Sequence, residues 1–558
     1  MIKRLTTLLF LVVLICLMDT STVVGQSDRS GQRRVTGTYA ITNATVITQP
    51  GKWLSATTIV IKDGLITAIG ENTAVPVDAK IIPGDSLFVY AGFIDLGSDA
   101  GIEKPEEAKK PENFDPSNPP NDVAGITPER TALDYWDTTN GSIGEWRKAG
   151  FTIAQLLPRG EMLPGQTALV VYGDASSTNV LHESTGLFAQ FETVRGVYPG
   201  TTLGVMAKYR ELYKNAELKN EHIQMFAANS NGISRPEKNK SLEAFYPVIN
   251  KQIPVVFEAN EELEIRRVLK LQKELGFDLL LMDLEEGSNL AEEILAANAT
   301  VALSLKLPDD KAKEANMEEA TEEAKTAQKR VIEAYEQALS HAGNFEKAGV
   351  KFGFSTNQAK KDDFLKNLRL MIAHGLTEDG ALAALTTNPA AILGISNYAG
   401  TIEKGKLANL VLATDSLFAE GSKINFVMSD GYLYEYDISK SKKIEGNPSD
   451  LVGKWNYTSE TPGGTSSGEI RFTEKSGNLS GEIDVDNPNG GGKLTRPLEN
   501  ISYDGKKLSF TFSIEVQGQK LTVQTKGKVD GADFTGSISI RDMGDFSLTA
   551  KKTPDFKF

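Results

Sequence analysis

The chain has almost no cysteine and little histidine. Of its 558 residues one is cysteine, Cys16, and four are histidine: His182, His222, His341 and His374. Cys16 lies inside an apolar N-terminal run, so a chain trimmed after that run carries no disulfide, no thiolate metal site and no cysteine nucleophile. No two histidines stand at ligand spacing, which argues against an imidazole-rich zinc centre. Positive charge is also in deficit: 60 Lys and Arg against 74 Asp and Glu give a net charge of −14 and a pI near 5.1. Nucleic-acid binding needs a basic face and is not expected. The apolar run Leu5–Met18 is shorter than the ~20 residues a membrane span requires.

What that run does resemble is an export signal. Lys3 and Arg4 form a positive start, and Val23 and Gly25 suit the small-residue cleavage rule, leaving Gln26 first. The segment 1–25 is therefore expected to direct export to a periplasmic or secreted location. An uncleaved anchor is the alternative. Ile15 is bulky where a small residue precedes a lipidated cysteine, so lipoprotein anchoring at Cys16 is not expected.

A chain this long exceeds one ordinary domain. After a polar stretch, Ser27–Arg34, the runs Tyr39–Thr48 and Thr58–Ile69 are β-branched, and Asp63-Gly64 marks a hairpin turn. Leu87–Val89 leads into Tyr90–Ala100, which reads Tyr-Ala-Gly-Phe-Ile-Asp-Leu-Gly-Ser-Asp-Ala. Gly101–Tyr135 is rich in Pro, Glu, Asp and Asn and predicts a long irregular loop, either lining a site or solvated.

From Gly144 to Pro389 strand and helix patterns alternate, as a barrel needs. Strands are expected at Gly150–Leu157, Ile253–Phe257, Phe277–Met282, Thr300–Leu305 and Val350–Ser355, and helices at Glu261–Leu275 and Asn289–Ala297. Pro308–Glu346 is a charged helical tract, whose Val331, Ala334, Tyr335, Ala338 and Leu339 form a stripe expected to face the core. Thr377 is a helix cap, and Thr387-Asn388-Pro389-Ala390 opens a further helix. Beyond a polar linker, residues 439–450, Leu451–Lys552 is Gly- and Thr-rich with alternating Leu508, Phe510, Phe512, Ile514 and Val516. That pattern predicts an antiparallel β-barrel or sandwich of roughly eight strands, with turns at Asp504-Gly505 and Asp530-Gly531. Trp455 and Tyr457 read as core aromatics, too unspecific to support a sugar- or lipid-binding role for this domain.

Several phrases together resemble the metal-dependent amidohydrolase superfamily, its imidazolonepropionase-like branch above all. They are Gly92-Phe93-Ile94-Asp95, Thr386-x-Asn388-Pro389-Ala390, and Gly400–Ala413 (Gly-Thr-Ile-Glu-Lys-Gly-Lys-Leu-Ala-Asn-Leu-Val-Leu-Ala), where Asn409 replaces the usual Asp. The resemblance covers about Tyr39–Tyr436. It implies an α/β fold: a TIM-like (β/α)8 barrel at 89–394, a composite β-sandwich from 26–88 and 395–438, and a separate all-β domain at 451–558.

It also implies hydrolysis of non-peptide carbon–nitrogen bonds, such as cyclic or dipeptide-like amides. In the superfamily a His-x-His pair, a bridging lysine or glutamate, two more histidines and an aspartate hold a metal that makes hydroxide near neutral pH. Here the His-x-His positions are Gly97 and Asp99, the next histidine is Glu258, another falls near Met282-Asp283, and the aspartate is Asn357. The bridging lysine has no clear counterpart. An amide cannot act as a general base. The expectation is a degenerate pocket and a binding or partner subunit, with an active amidohydrolase relative or a second copy as partner. The alternative is an active hydrolase in which Asp95, Asp99, Glu258 and Asp283 gather round a hard divalent cation such as Ca²⁺, Mg²⁺ or Mn²⁺.

Overall fold

The computed structural model describes residues 32–34, 37–106, 108–174, 179–308, 321–436, 447–461, 464–475, 478–487, 492–516, 519–540 and 544–553. The expected export segment 1–25, Cys16, most of the linker and the start of the charged tract lie outside them. The chain divides into two units, residues 1–436 and 437–558.

The first unit is built on an eight-stranded sheet whose strands lie side by side in chain order. They are Phe93–Ser98, Phe151–Leu156, Gly165–Val171, Val180–Ala189, Val255–Glu258, Leu279–Leu284, Thr300–Ser304 and Phe352–Ser355. The sheet curls until its last strand meets its first: the backbone N–H groups of Thr356 and Asn357 both donate to the Gly97 carbonyl, at 2.9 and 3.0 Å. The barrel expected from the sequence is present, with one departure. Strand three runs antiparallel to both neighbours. Its connections are too short for the dozen or more residues a parallel crossover needs, so the chain makes hairpins there instead. Strands three and four were not expected from the sequence, nor was the helix Thr202–Ala228. That helix buries Val205, Met206, Tyr209, Leu212, Tyr213 and Ala216, a spacing that was readable as helical.

Helices Glu262–Leu275 and Ala291–Ala296 follow strands five and six, close to expectation. The charged tract forms a helix at Glu322–Lys347. Its stripe faces the core only from Leu339 onward; Val331 and Ala334 are exposed. Thr377 caps its helix by accepting from the Gly380 N–H at 2.9 Å. The next helix, Thr387–Ile392, starts two residues before Pro389, whose missing donor falls in a first turn that needs none. Among the described residues no helix is long and apolar enough to cross a membrane.

Strands from both flanks of the barrel share a nine-stranded sheet. Leu410–Ala413 pairs antiparallel with Phe88–Ala91, and Gln32–Arg34 pairs with Tyr432–Glu435. Ile41, Ile59, Ile61, Val89, Leu410, Leu412 and Met428 form its core. Asp63-Gly64 and Asp430-Gly431 both turn with positive φ, as type I′ hairpins require. Asn409 accepts from the Asp430 N–H at 3.1 Å and so steadies the second turn.

The second unit is a nine-stranded, wholly antiparallel sheet in which its first strand, Gly453–Thr461, pairs with its last, Gly544–Lys552. Trp455, Tyr457, Phe472, Leu508, Phe510, Phe512 and Phe534 fill its core. Trp455 and Tyr457 are only 2% and 3% exposed, so neither offers a binding face.

Candidate active-site rim

Residues at the carboxyl ends of the barrel strands define the rim. Along strand one, Leu96 points to the interior, where Leu157, Phe188, Val256, Leu280, Met282 and Ala302 meet it. Gly97 lies against this apolar plug. A Cβ on Gly97 would stand 2.6 Å from Met282 Sδ, 2.8 Å from Ser355 Oγ and 3.2 Å from Leu157 Cδ1. Met282 and Ser355 are fully buried, so the volume beside Gly97 is already occupied.

Asp95 is tied into the wall. Its Oδ1 accepts from the N–H groups of Gly97 and Thr356, at 3.0 and 3.1 Å, and its Oδ2 accepts from Thr356 Oγ1. Tyr172 OH donates to Ser98 Oγ at 2.9 Å, and Ser98 Oγ lies 3.2 Å from Thr356 Oγ1. A closed chain of hydroxyls thus joins strand one, strand eight and the end of strand three. Burial pushes Asp95 up to about 7, partly offset by the hydrogen bonds from Thr356, Gly97 and Ser98.

Asp99 points elsewhere. It forms an ion pair with Arg159, on the loop after strand two, and both side chains are about a third or more exposed.

Glu258 and Asp283 end adjacent parallel strands. Glu258 is half-buried and has no hydrogen-bond or ion-pair partner among the described residues. Burial, then the neighbouring Asp283, Glu192, Glu264 and Glu285, push it up to about 8. Asp283 is 3% exposed and takes a positive φ of 64°, which turns its side chain out of the strand's alternation. Burial raises it to about 7, opposed by the hydrogen bond from the Asn357 amide. Asn357 Nδ2 donates to Asp283 Oδ2 at 2.7 Å. Ser355 Oγ directs its one proton to the Gly97 carbonyl at 2.9 Å, which leaves Asp283 Oδ1 without a hydrogen bond.

The structure therefore brings Glu258, Asp283 and Asn357 together and sets Asp95 and Asp99 apart. The four-carboxylate cluster offered by the sequence does not converge, because Asp95 is consumed by backbone and hydroxyl donors and Asp99 by a cation. Among the described residues no three His, Cys, Asp or Glu side chains are placed to hold a metal ion. The fold implies a divalent metal at this rim, and the residues present do not fit one. At the positions that the resemblance matches to metal ligands, Gly97 has no side chain and no room for one, Asp99 pairs with Arg159, and Asn357 supplies an amide.

The four histidines lie away from the rim carboxylates in hydrogen-bonding terms. His182 is 3.1 Å from Tyr398 OH, His222 is 2.9 Å from the Ser234 carbonyl, and His374 Nδ1 is 2.7 Å from the Leu370 carbonyl. His341 is buried on its helix against Phe345, and desolvation lowers it to about 4.

Sequence reasoning missed the hydroxyl chain of Ser98, Thr356 and Tyr172. Three small or polar residues clustered at the ends of strands one and eight, Ser98, Ser355 and Thr356, were the available signal. It also missed that the 101–135 loop packs inward: Ile102, Ala124, Ile126 and Ala132 join the barrel's outer core.

A model of the amidohydrolase family matches residues 264–433. The match includes Asp283 and Asn357 but begins after strand one and Glu258. No curated protein matches the chain. Among solved structures, an amidohydrolase from Thermotoga maritima MSB8 is similar, with a TM-score of 0.58 and 22% identity over 70% of this chain and 98% of that one. A prolidase complexed with N-methylphosphonate-L-proline covers 72% of this chain at 17% identity and a TM-score of 0.44. A putative prolidase from Bifidobacterium longum covers 72% at 15% and 0.42. The resemblance to the amidohydrolase superfamily is borne out by the family model and by the fold of the first of these.

Proposed function

We propose that this amidohydrolase-fold chain is exported and serves as a binding or partner subunit whose barrel no longer carries metal-dependent hydrolysis. The observation that carries this reading is the filled volume at Gly97, where Met282, Ser355 and Leu157 stand in the place the first metal-ligating side chain would take. The Asp99–Arg159 pair and the Asn357 amide support it, since each removes a further group the metal mechanism needs. Export rests on the N-terminal pattern of Lys3, Arg4 and the Leu5–Met18 run. A partner of the same fold, either an active relative or a second copy, would supply the chemistry this barrel lacks.

The test is an assay of cyclic amides and dipeptides with and without added Zn²⁺, Mn²⁺ or Co²⁺, alongside recovery of partners from the native source. No turnover and a second chain at near-stoichiometric amounts agree with the reading. Metal-dependent turnover by the isolated chain contradicts it.

One observation favours a second reading, an active hydrolase of small amides. Glu258 and Asp283 are neighbouring carboxyls held at neutral-range pKa values, and Asp283 Oδ1 has an open acceptor. That is the chemistry of an acid–base pair. Under this reading Glu258→Gln and Asp283→Asn would each abolish turnover.

A further inference from the structure

The 101–135 loop does more than cover the barrel's outer wall. With the loop after strand two and the segment after strand four it lines a cleft of about 310 Å³ that is partly open to solvent. The cavity walls are fixed by backbone. Thr127 N–H donates to the Leu163 carbonyl at 2.8 Å, and Leu163 N–H donates back to Gly125 at 3.0 Å. Gln166 N–H donates to the Arg130 carbonyl at 2.8 Å, and Gly165 is required there, since a Cβ would stand 2.6 Å from that oxygen. Gln190 Nε2 holds the opposite wall through the carbonyls of Gly160 and Glu161, at 2.6 and 2.8 Å.

Charge is unevenly placed in this cavity. The chain as a whole carries −14, yet Lys104, Lys110, Arg130 and Arg195 all line this one space. None of the four has a side-chain hydrogen-bond or ion-pair partner among the described residues. A fifth cation, Arg159, is held in the wall by Asp99. Glu106, Asp122 and Glu161 line the cavity too, without pairing with the four. Lys104, Lys110 and Arg195 are exposed and Arg130 is half-buried, so an anion entering the cavity would meet several cations free to turn toward it. Guanidinium groups fit carboxylate and phosphate oxygens in a bidentate fashion. The volume lies at the low end for small-molecule sites.

We propose that this cavity binds a compact anion bearing carboxylate or phosphate groups, with Arg130 and Arg195 as its principal contacts. This deepens the binding-subunit reading and rests on it. Arg159, which also lines the cavity, is paired with Asp99 and is therefore not one of the proposed contacts.

The test is calorimetric titration of the full chain with citrate and, separately, with pyrophosphate at low and moderate salt. One anion binding at a single site, weakened roughly tenfold or more by Arg130→Gln and by Arg195→Gln, is expected. Lys270→Gln, on the exposed face of the helix after strand five, should leave binding unchanged. The tighter of the two probes identifies carboxylate or phosphate as the native group. Binding of neither probe, or binding that both arginine variants leave intact, overturns the inference. Metal content and amide hydrolysis are measured on the same preparation. Metal with turnover sinks the non-catalytic reading whatever the anions do, whereas a metal-free, inactive chain that binds neither anion sinks only this inference.

Discussion

Met282 Sδ lies 2.6 Å from the point where a Cβ on Gly97 would stand. The two residues belong to strands one and six, on different parts of the barrel wall, and meet at its interior. Their contact closes the space in which a side chain from strand one would reach toward the rim.

Gly97→Ala should therefore destabilise the first unit by about 1–3 kcal/mol, the usual cost of overpacking. Urea unfolding followed by tryptophan fluorescence measures it. Met282→Ala should cost less in the Gly97→Ala background than in the native chain, because the sulfur is the nearest atom. An unchanged unfolding midpoint for Gly97→Ala would show that the interior is not filled as described.

Asn357→Asp removes the amide that donates to Asp283 Oδ2 at 2.7 Å and sets two carboxyls against each other. The expected cost is about 1–3 kcal/mol at pH 8, from the lost donor and like-charge repulsion. At pH 5 the two carboxyls can share a proton, so most of the loss should vanish. Equal destabilisation at both values would argue against contact between these side chains.

Stability should fall as pH rises from about 4 to about 8. Asp95 and Asp283 are raised to about 7 and Glu258 to about 8, above their ordinary values in an unfolded chain. Below the unfolded values both states keep these protons and nothing is lost. Above them the unfolded chain ionises first, and the advantage of the folded state declines until the folded groups ionise in turn. Thermal unfolding at half-unit steps of pH measures the trend, and Glu258→Gln should flatten its upper part. A melting temperature that climbs steadily through this range would contradict the assignment.

Asp99→Asn should change stability by less than about 1 kcal/mol, because the pair with Arg159 is solvent-exposed. Its effect should be on anion binding in the neighbouring cavity, which calorimetry reads directly. A large loss of stability instead would give Asp99 a structural role.

Most of the barrel was legible in the sequence because its strands are short apolar runs bounded by turn residues, and the start of the flanking sheet because Asp63-Gly64 marks a hairpin turn. Strand four was missed because His182, Glu183 and Ser184 interrupt its apolar pattern, and its pairing with strand three slips at bulges; the run Ala168–Val171 of strand three was readable as a short apolar strand. The exposed half of helix Glu322–Lys347 was misjudged because a stripe such as Val331 and Ala334 says nothing about whether a neighbour exists to cover it. At the rim, the identities of Gly97, Asp99, Glu258, Asp283 and Asn357 were visible as departures from a ligand set. Their separation was not, because it depends on partners far apart in the chain: Thr356 for Asp95, Arg159 for Asp99, Met282 for Gly97.

The most direct test of the account is the divalent-metal content of the protein purified from residue 26 onward, without chelators and without a histidine tag. Far less than one equivalent per chain is expected, with no gain in thermal stability when Zn²⁺, Mn²⁺ or Ca²⁺ is added. Roughly one equivalent or more, by the one- or two-metal logic of such sites, lost together with activity in Glu258→Gln or Asp283→Asn, would contradict it.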